Sequence, residues 1–138
     1  MKVKFGPLKL EAVNYKKLHK YVEIAKNIDI GDINPRTRHF AFIINKNKII
    51  SQGFNTLKTH PFLLKYGYRS NCKVHAEASA IIKSNTFNHK NNKMITFRFD
   101  KSGNLNQGKP CKYCQNILNL VDMKEVWYSD LKGEFKML

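Results

Sequence analysis

His75-Ala76-Glu77 and Pro110-Cys111-Lys112-Tyr113-Cys114 place one imidazole, one carboxylate and two thiols in two short runs of a 138-residue chain. An imidazole and two thiolates suit zinc, and they are one ligand short of a closed tetrahedral site. The open position falls to water, whose pKa zinc lowers to about 7, so that a nucleophile exists at neutral pH. If each run opens a helix, its unpaired N–H groups and positive dipole end favour the thiolate of Cys111, and Pro110 fits a first-turn position. Glu77 is the informative residue. A structural zinc has no use for it, and two positions from His75 it shares a cavity with that ligand only at a helix mouth, where it can take up and deliver a proton. A competing arrangement closes the site with Cys72, because Cys72-x-x-His75 and Cys111-x-x-Cys114 are also the two ligand pairs of a structural zinc. The 35 residues between His75 and Cys111 exceed the roughly 15 to 20 of a zinc ribbon. Cys72 also falls in a loop ahead of the helix, so a catalytic centre is expected.

The elements that must position these residues follow from apolar spacing. Asn14 caps an expected helix reaching about Lys26, with Tyr15, Leu18, Val22 and Ala25 on one stripe and Gly31 and Pro35 beyond its end. Arg38 to Ile44 and Lys48 to Phe54 read as a hairpin about Asn45-Lys46-Asn47. Asn55 to Lys73 reads as loop. Val74 to Lys83 is an alanine-rich buried helix, Lys93 to Asp100 a strand, Pro110 to Val121 a helix and Lys124 to Ser129 a strand, while the tail from Asp130 has no evident assignment. Helices alternating with strands give an α/β class, a sheet with helices packed on it, in one domain over residues 1–138.

Composition sets the class of partner. The chain carries 25 Lys and Arg against 10 Asp and Glu, a net +15, yet is 42% hydrophobic with 9 Phe and 6 Tyr, enough apolar surface to fold. Most of the cations are Lys, a bias that an AT-rich coding sequence also produces. Position is more telling: from Ile33 to Phe99 there are twelve cations and one carboxylate, Glu77, which holds eleven of the fifteen excess charges. A phosphate-bearing ligand is the natural partner. Three cysteines do not make a disulfide framework. No apolar run approaches a membrane span and the N-terminus has no apolar signal core, so an intracellular, cytoplasmic protein is expected with no membrane partner.

The two motifs together resemble the zinc-dependent cytidine and deoxycytidylate deaminase superfamily, whose H-x-E…P-C-x-x-C signature they match. The resemblance implies a three-layer α/β/α fold, a mixed sheet of about five strands with helices on both faces. It implies that His75, Cys111 and Cys114 hold Zn2+ and that Glu77 shuttles protons during hydrolytic attack on the amine-bearing carbon of the base, with loss of ammonia. Ala76 would hold the base carbonyl through its backbone N–H, and Asn55, in Gly53-Phe54-Asn55, resembles the sugar-binding asparagine in position. Relatives commonly assemble, so a homo-oligomer is an expectation.

The sequence departs from that pattern after Asn55. Lys58-Thr59-His60-Pro61 is no familiar motif; Lys58 and His60 stand as substrate-binding candidates, His60 for phosphate or base. His39 reads as structural. Phe62, Tyr66 and Tyr68 either stack on bases or pack the loop onto the core. The expected substrate is a cytosine nucleoside or nucleotide such as dCMP. The alternative is a cytosine or adenine base in single-stranded DNA or RNA, including tRNA, tracked by the basic 33–99 window. A more remote one is a zinc-stabilised nucleic-acid-binding module without chemistry, against which Glu77 speaks. The scarcity of Arg, the better residue for bidentate and stacked recognition, weighs against the polymer.

Overall fold

The computed structural model describes residues 18–28, 38–56, 59–66 and 73–138. The expectations placed on Asn14, Tyr15, Gly31, Pro35, Lys58, Tyr68 and Cys72, and on the side chains of Phe62 and Tyr66, lie outside the described residues. Helix α1 occupies residues 18–26. Strands β1 (Arg38–Asn45) and β2 (Lys48–Phe54) follow, then a 3-10 helix (Pro61–Tyr66) and α2 (Ala76–Ser84). The chain continues through β3 (Lys93–Phe99), the two-residue β4 (Leu105–Asn106), α3 (Lys112–Leu120), β5 (Glu125–Ser129) and β6 (Phe135–Met137).

The strands form one mixed sheet in the order β2-β1-β3-β5-β6, with β4 paired to β3. β3 and β5 are parallel and the other pairs antiparallel. Side-chain alternation along β1 divides the core into two layers, as period-2 geometry requires. Phe40, Phe42 and Ile44 face Leu18, Tyr21, Val22 and Ala25 of α1, together with Ile95, Phe97 and Phe99 of β3. Ala41 and Ile43 face the alanines and Ile81 of α2 and Cys114, Ile117 and Leu118 of α3. The expected α/β/α layering is therefore present, with α1 on one face and α2 and α3 on the other.

Three details differ from the sequence reading. The expected loop contains the 3-10 helix, whose Leu63 is 1% exposed and packs into the α2/α3 core, so an apolar anchor rather than turn chemistry shapes it. The tail forms β6, bringing the sheet to six strands. Asp130 makes this possible: its carboxylate accepts from the N–H groups of Lys132 and Glu134 at 2.8 and 2.9 Å, and Gly133 turns at φ 81°. The same device joins β3 to β4, where Asp100 accepts from Ser102 and Asn104 and Gly103 turns at φ 86°. Finally, α3 starts at Lys112, not Pro110. Cys111 is the N-cap with extended backbone (φ −70°, ψ 171°), and Pro110 stands outside the helix with its carbonyl accepting from Gln115 Nε2 at 2.8 Å.

The hairpin turn has positive φ at Lys46 (48°) and Asn47 (68°), the twist that suits a two-residue connection between antiparallel strands. Gly53 in β2 matters more for the site. A Cβ there would lie 2.4 Å from the Ala80 nitrogen and 2.5 Å from the Ala76 oxygen, so the missing side chain lets α2 lie against the strand backbone. The Ser51 hydroxyl donates to the Ala80 carbonyl at 2.7 Å and locks this contact.

Candidate active site

The helix starts and strand ends that the topology assembles meet at one end of the sheet. α2 precedes β3 and α3 precedes β5, so in each crossover the helix returns antiparallel to the strand it leads into. Helix N-termini therefore lie near the C-terminal ends of the parallel strands, where a crevice forms in open α/β sheets. His75 is the N-cap of α2 and Cys111 the N-cap of α3, both with extended backbone and without side-chain capping. The first-turn N–H groups of both helices are thus turned toward the same region.

His75 Nδ1 lies 3.6 Å from Cys111 Sγ and 3.5 Å from Cys114 Sγ. All three donor atoms lie within 4.8 Å of one another, a group that can hold a metal ion. A tetrahedral zinc with bonds of about 2.3 Å to sulfur and 2.0 Å to nitrogen sets nitrogen–sulfur edges of about 3.5 Å, and the donors stand at that spacing. Cys114 is buried in the core, while Cys111 is exposed. The sequence motif residues therefore converge in space as the zinc signature requires.

Electrostatics prepare the cluster. Hydrogen bonds from the Cys114 side chain, from His75 and from the Cys114 backbone hold the Cys111 thiol down at about 3, against the opposing effect of burial. The Cys111 partner in turn raises His75, outweighing desolvation, with Glu77 adding attraction. Without metal, the Cys111 thiolate favours the protonated form of the His75 imidazole beside it.

Glu77 occupies the first turn of α2 and is 1% exposed. Its Oε1 is buried without a hydrogen-bond partner among the described residues, and its Oε2 lies 3.9 Å from His39 Nε2. A buried carboxylate oxygen left unpaired costs about 1 to 3 kcal/mol or more. His75 caps the helix and Glu77 stands in its first turn, so both lie at the helix mouth. Ala76, 0% exposed, is the first residue of α2, where intrahelical bonding leaves the N–H unused.

Asn55 sits where β2 ends. Its Oδ1 accepts from the His39 N–H at 3.0 Å and its own N–H donates to the His39 carbonyl at 3.2 Å. The next residue, Thr56, donates to the Val74 carbonyl at 3.2 Å, tying this corner to the segment that presents His75. His60 is exposed, and its carbonyl accepts from the Leu63 N–H at 3.0 Å at the start of the 3-10 turn. His39, expected to be structural, stands beside Glu77, with Nε2 2.6 Å from Thr96 Oγ1. Arg98, opposite His39 in the β1–β3 ladder, has a buried Nε without a hydrogen-bond partner among the described residues. A signal for both lies in the strand alternation, which puts His39, Thr96 and Arg98 on the α2/α3 side.

Chains of similar structure include the dCMP deaminase of the cyanophage S-TIM5 in apo form, with 17% identity over 89% of this chain and 84% of that one and a TM-score of 0.49. The same phage enzyme in complex with dCMP and dUMP has 16% identity over 94% and 85%, with a TM-score of 0.46. The cytidine deaminase of Mycobacterium leprae has 14% identity over 87% and 88%, with a TM-score of 0.45. No family model and no curated protein matches the chain.

Proposed function

We propose that the chain is a zinc-dependent hydrolytic deaminase that converts a cytosine base to uracil with release of ammonia, acting on a cytidine or deoxycytidine nucleotide such as dCMP. The observation that carries this reading is Glu77: a buried carboxylate with an orphaned oxygen, at the mouth of the helix that presents one ligand of a His-Cys-Cys cluster. His75, Cys111 and Cys114 hold the zinc ion. Bound there, zinc supplies a water-derived nucleophile at neutral pH. Glu77 takes a proton from the attacking water at Oε1 and passes it to the ring nitrogen beside the reacting carbon, then takes the proton of the hydroxyl now on that carbon and gives it to the amine, so that the carbon–nitrogen bond breaks, ammonia leaves and the carbonyl of uracil remains. The Ala76 N–H holds the base carbonyl, and Asn55, at the corner beside His39, orients the sugar.

The nucleotide is favoured over a polymer by where the cations lie. Lys46, Lys48, Lys90 and Lys93 cluster at the hairpin end of the sheet, where Asn45 pairs with Lys48 and Ile44 with Lys93. Six residues of strand separate Asn45 from His39, about 20 Å at about 3.3 Å per residue. Among the described residues these four cations therefore stand apart from Arg38 and Arg98 of the same window, which belong to the site end, as do Lys109 and Lys112. Ammonia release from dCMP, deoxycytidine, a single-stranded oligonucleotide and tRNA tests the reading. Glu77→Gln is expected to lower turnover of dCMP about 10³-fold while zinc content persists, since general acid–base groups contribute about 10² to 10⁴. Undiminished turnover by that variant would sink the proposal, and turnover confined to the polymers would replace its substrate.

A further inference from the structure

We infer that His39, anchored between Thr96 and Asn55, is the positioning residue that fixes the carboxylate of Glu77, holding Oε2 on the imidazole side so that Oε1 faces the substrate. The inference rests on the proposed deamination and deepens it.

Its ground is a polar chain in an otherwise apolar layer. On the face of β1 and β3 that packs against α2 and α3, the residues nearer the hairpin end are Ala41, Ile43 and Met94. Toward the Glu77 end the same face carries Thr96, His39 and Arg98. Solvent does not explain the change, because Thr96 is 0% exposed and Glu77 1%. Within this layer, His39 is held three times: by Thr96 Oγ1 at 2.6 Å through the ring, and by Asn55 through both its backbone N–H and its carbonyl. A histidine pinned in this way presents its ring at a fixed angle. With the proton on Nε2, its N–H donates to Thr96 Oγ1 and turns its positive end toward Oε2, 3.9 Å away. That distance is an electrostatic contact and not a hydrogen bond. Closing it by about 1 Å as Glu77 rotates brings Oε2 within reach of that N–H, which is then shared between the carboxylate and Thr96 Oγ1. Glu77 has three side-chain torsions and must present one oxygen to two different substrate atoms in turn, so an unheld carboxylate would lose alignment at each step. The charged and titratable groups acting on His39 are Glu77 and His75 from α2, Arg98 from β3 and Cys111 from α3.

The test uses the zinc-loaded protein with His39→Phe, His39→Gln, Thr96→Val and the Phe/Val double variant, with zinc content and thermal midpoint recorded for each. His39→Phe is expected to lower kcat for dCMP about 30- to 100-fold with KM within about threefold, the scale of a misplaced reacting group. His39→Gln, which keeps a donor, recovers about tenfold of that loss. Thr96→Val lowers kcat about tenfold, and the double variant is no worse than His39→Phe alone, because Thr96 acts through the ring. A second readout needs no turnover: the His39 ring signals, followed by NMR against pH, shift their midpoint downward in Glu77→Gln relative to wild type. Loss of kcat below threefold in both His39→Phe and Thr96→Val overturns the inference, and so does an unmoved His39 midpoint. If wild-type protein releases no ammonia from any cytosine compound, deamination itself has failed, and the midpoint alone then decides whether His39 holds Glu77.

Discussion

The residues of the cluster divide the work of metal capture unequally. Cys111, held down at about 3, is already a thiolate throughout the neutral range and releases no proton when zinc arrives. His75 is raised by the same contact, so zinc must displace its proton together with the thiol proton that Cys114 donates to Cys111. The sign follows: as pH falls toward and below the raised His75 value, protons compete better and zinc affinity drops. Competition against a chromophoric chelator between pH 5.5 and 8 is expected to show affinity rising with pH, and a flat profile would contradict the pairing. Stability of the metal-free protein has the matching form. The His75 contribution is complete below its ordinary value and lost as pH rises through the raised one, whereas the Cys111 contribution is complete above the ordinary thiol range and fades as pH falls toward about 3. The motif residues were legible in the sequence because their chemistry is carried by side-chain type and spacing. His39 was not, since a histidine in an apolar strand gives no sign of which residue it will meet across a layer, and the Thr96 contact spans 57 positions.

At the scale of elements, what matters is how closely α2 lies on the sheet. Gly53 sets that distance, since a methyl group there meets the backbone of α2 at Ala76, Ser79 and Ala80, and no side-chain rotation relieves a backbone clash. Gly53→Ala is expected to destabilise the fold by about 1 to 3 kcal/mol, the ordinary cost of overpacking. It should also weaken zinc binding, because α2 carries His75. Denaturant midpoints with and without zinc check this, and a variant of wild-type stability would show that α2 shifts freely. The end of α1, the helices α2 and α3 and the central strands were readable from periodicity to within one or two residues. The 3-10 helix and β6 were not: one depends on Leu63 finding a core built by distant residues, the other on an aspartate whose carboxylate replaces missing backbone partners. The start of α3 was misplaced by two residues because proline before a cap and proline at a first turn look alike in sequence.

For the whole molecule, net charge is less informative than its distribution. At physiological ionic strength the field of an exposed lysine decays over about 8 Å. The hairpin-end cations therefore lie beyond useful reach of any ligand held at the His75–Cys111–Cys114 end of the sheet, about 20 Å away. Replacing Lys46, Lys48 and Lys90 by Gln is expected to leave kcat/KM for dCMP within about twofold. Replacing Lys109 and Lys112 should raise KM for dCMP more than for deoxycytidine. Equal effects from both sets would restore a continuous basic track. Charge counted along the chain could not reveal this, because strands return neighbours in sequence to opposite ends of the sheet. Chain order also has a temporal meaning. By residue 99 a growing chain has emitted α1, β1, β2, α2 and β3, which includes His39, His75, Glu77 and the two layers that seat them. Cys111 and Cys114 emerge only afterwards, so the set of side chains that can hold a metal ion is complete only once both layers that seat it have been made.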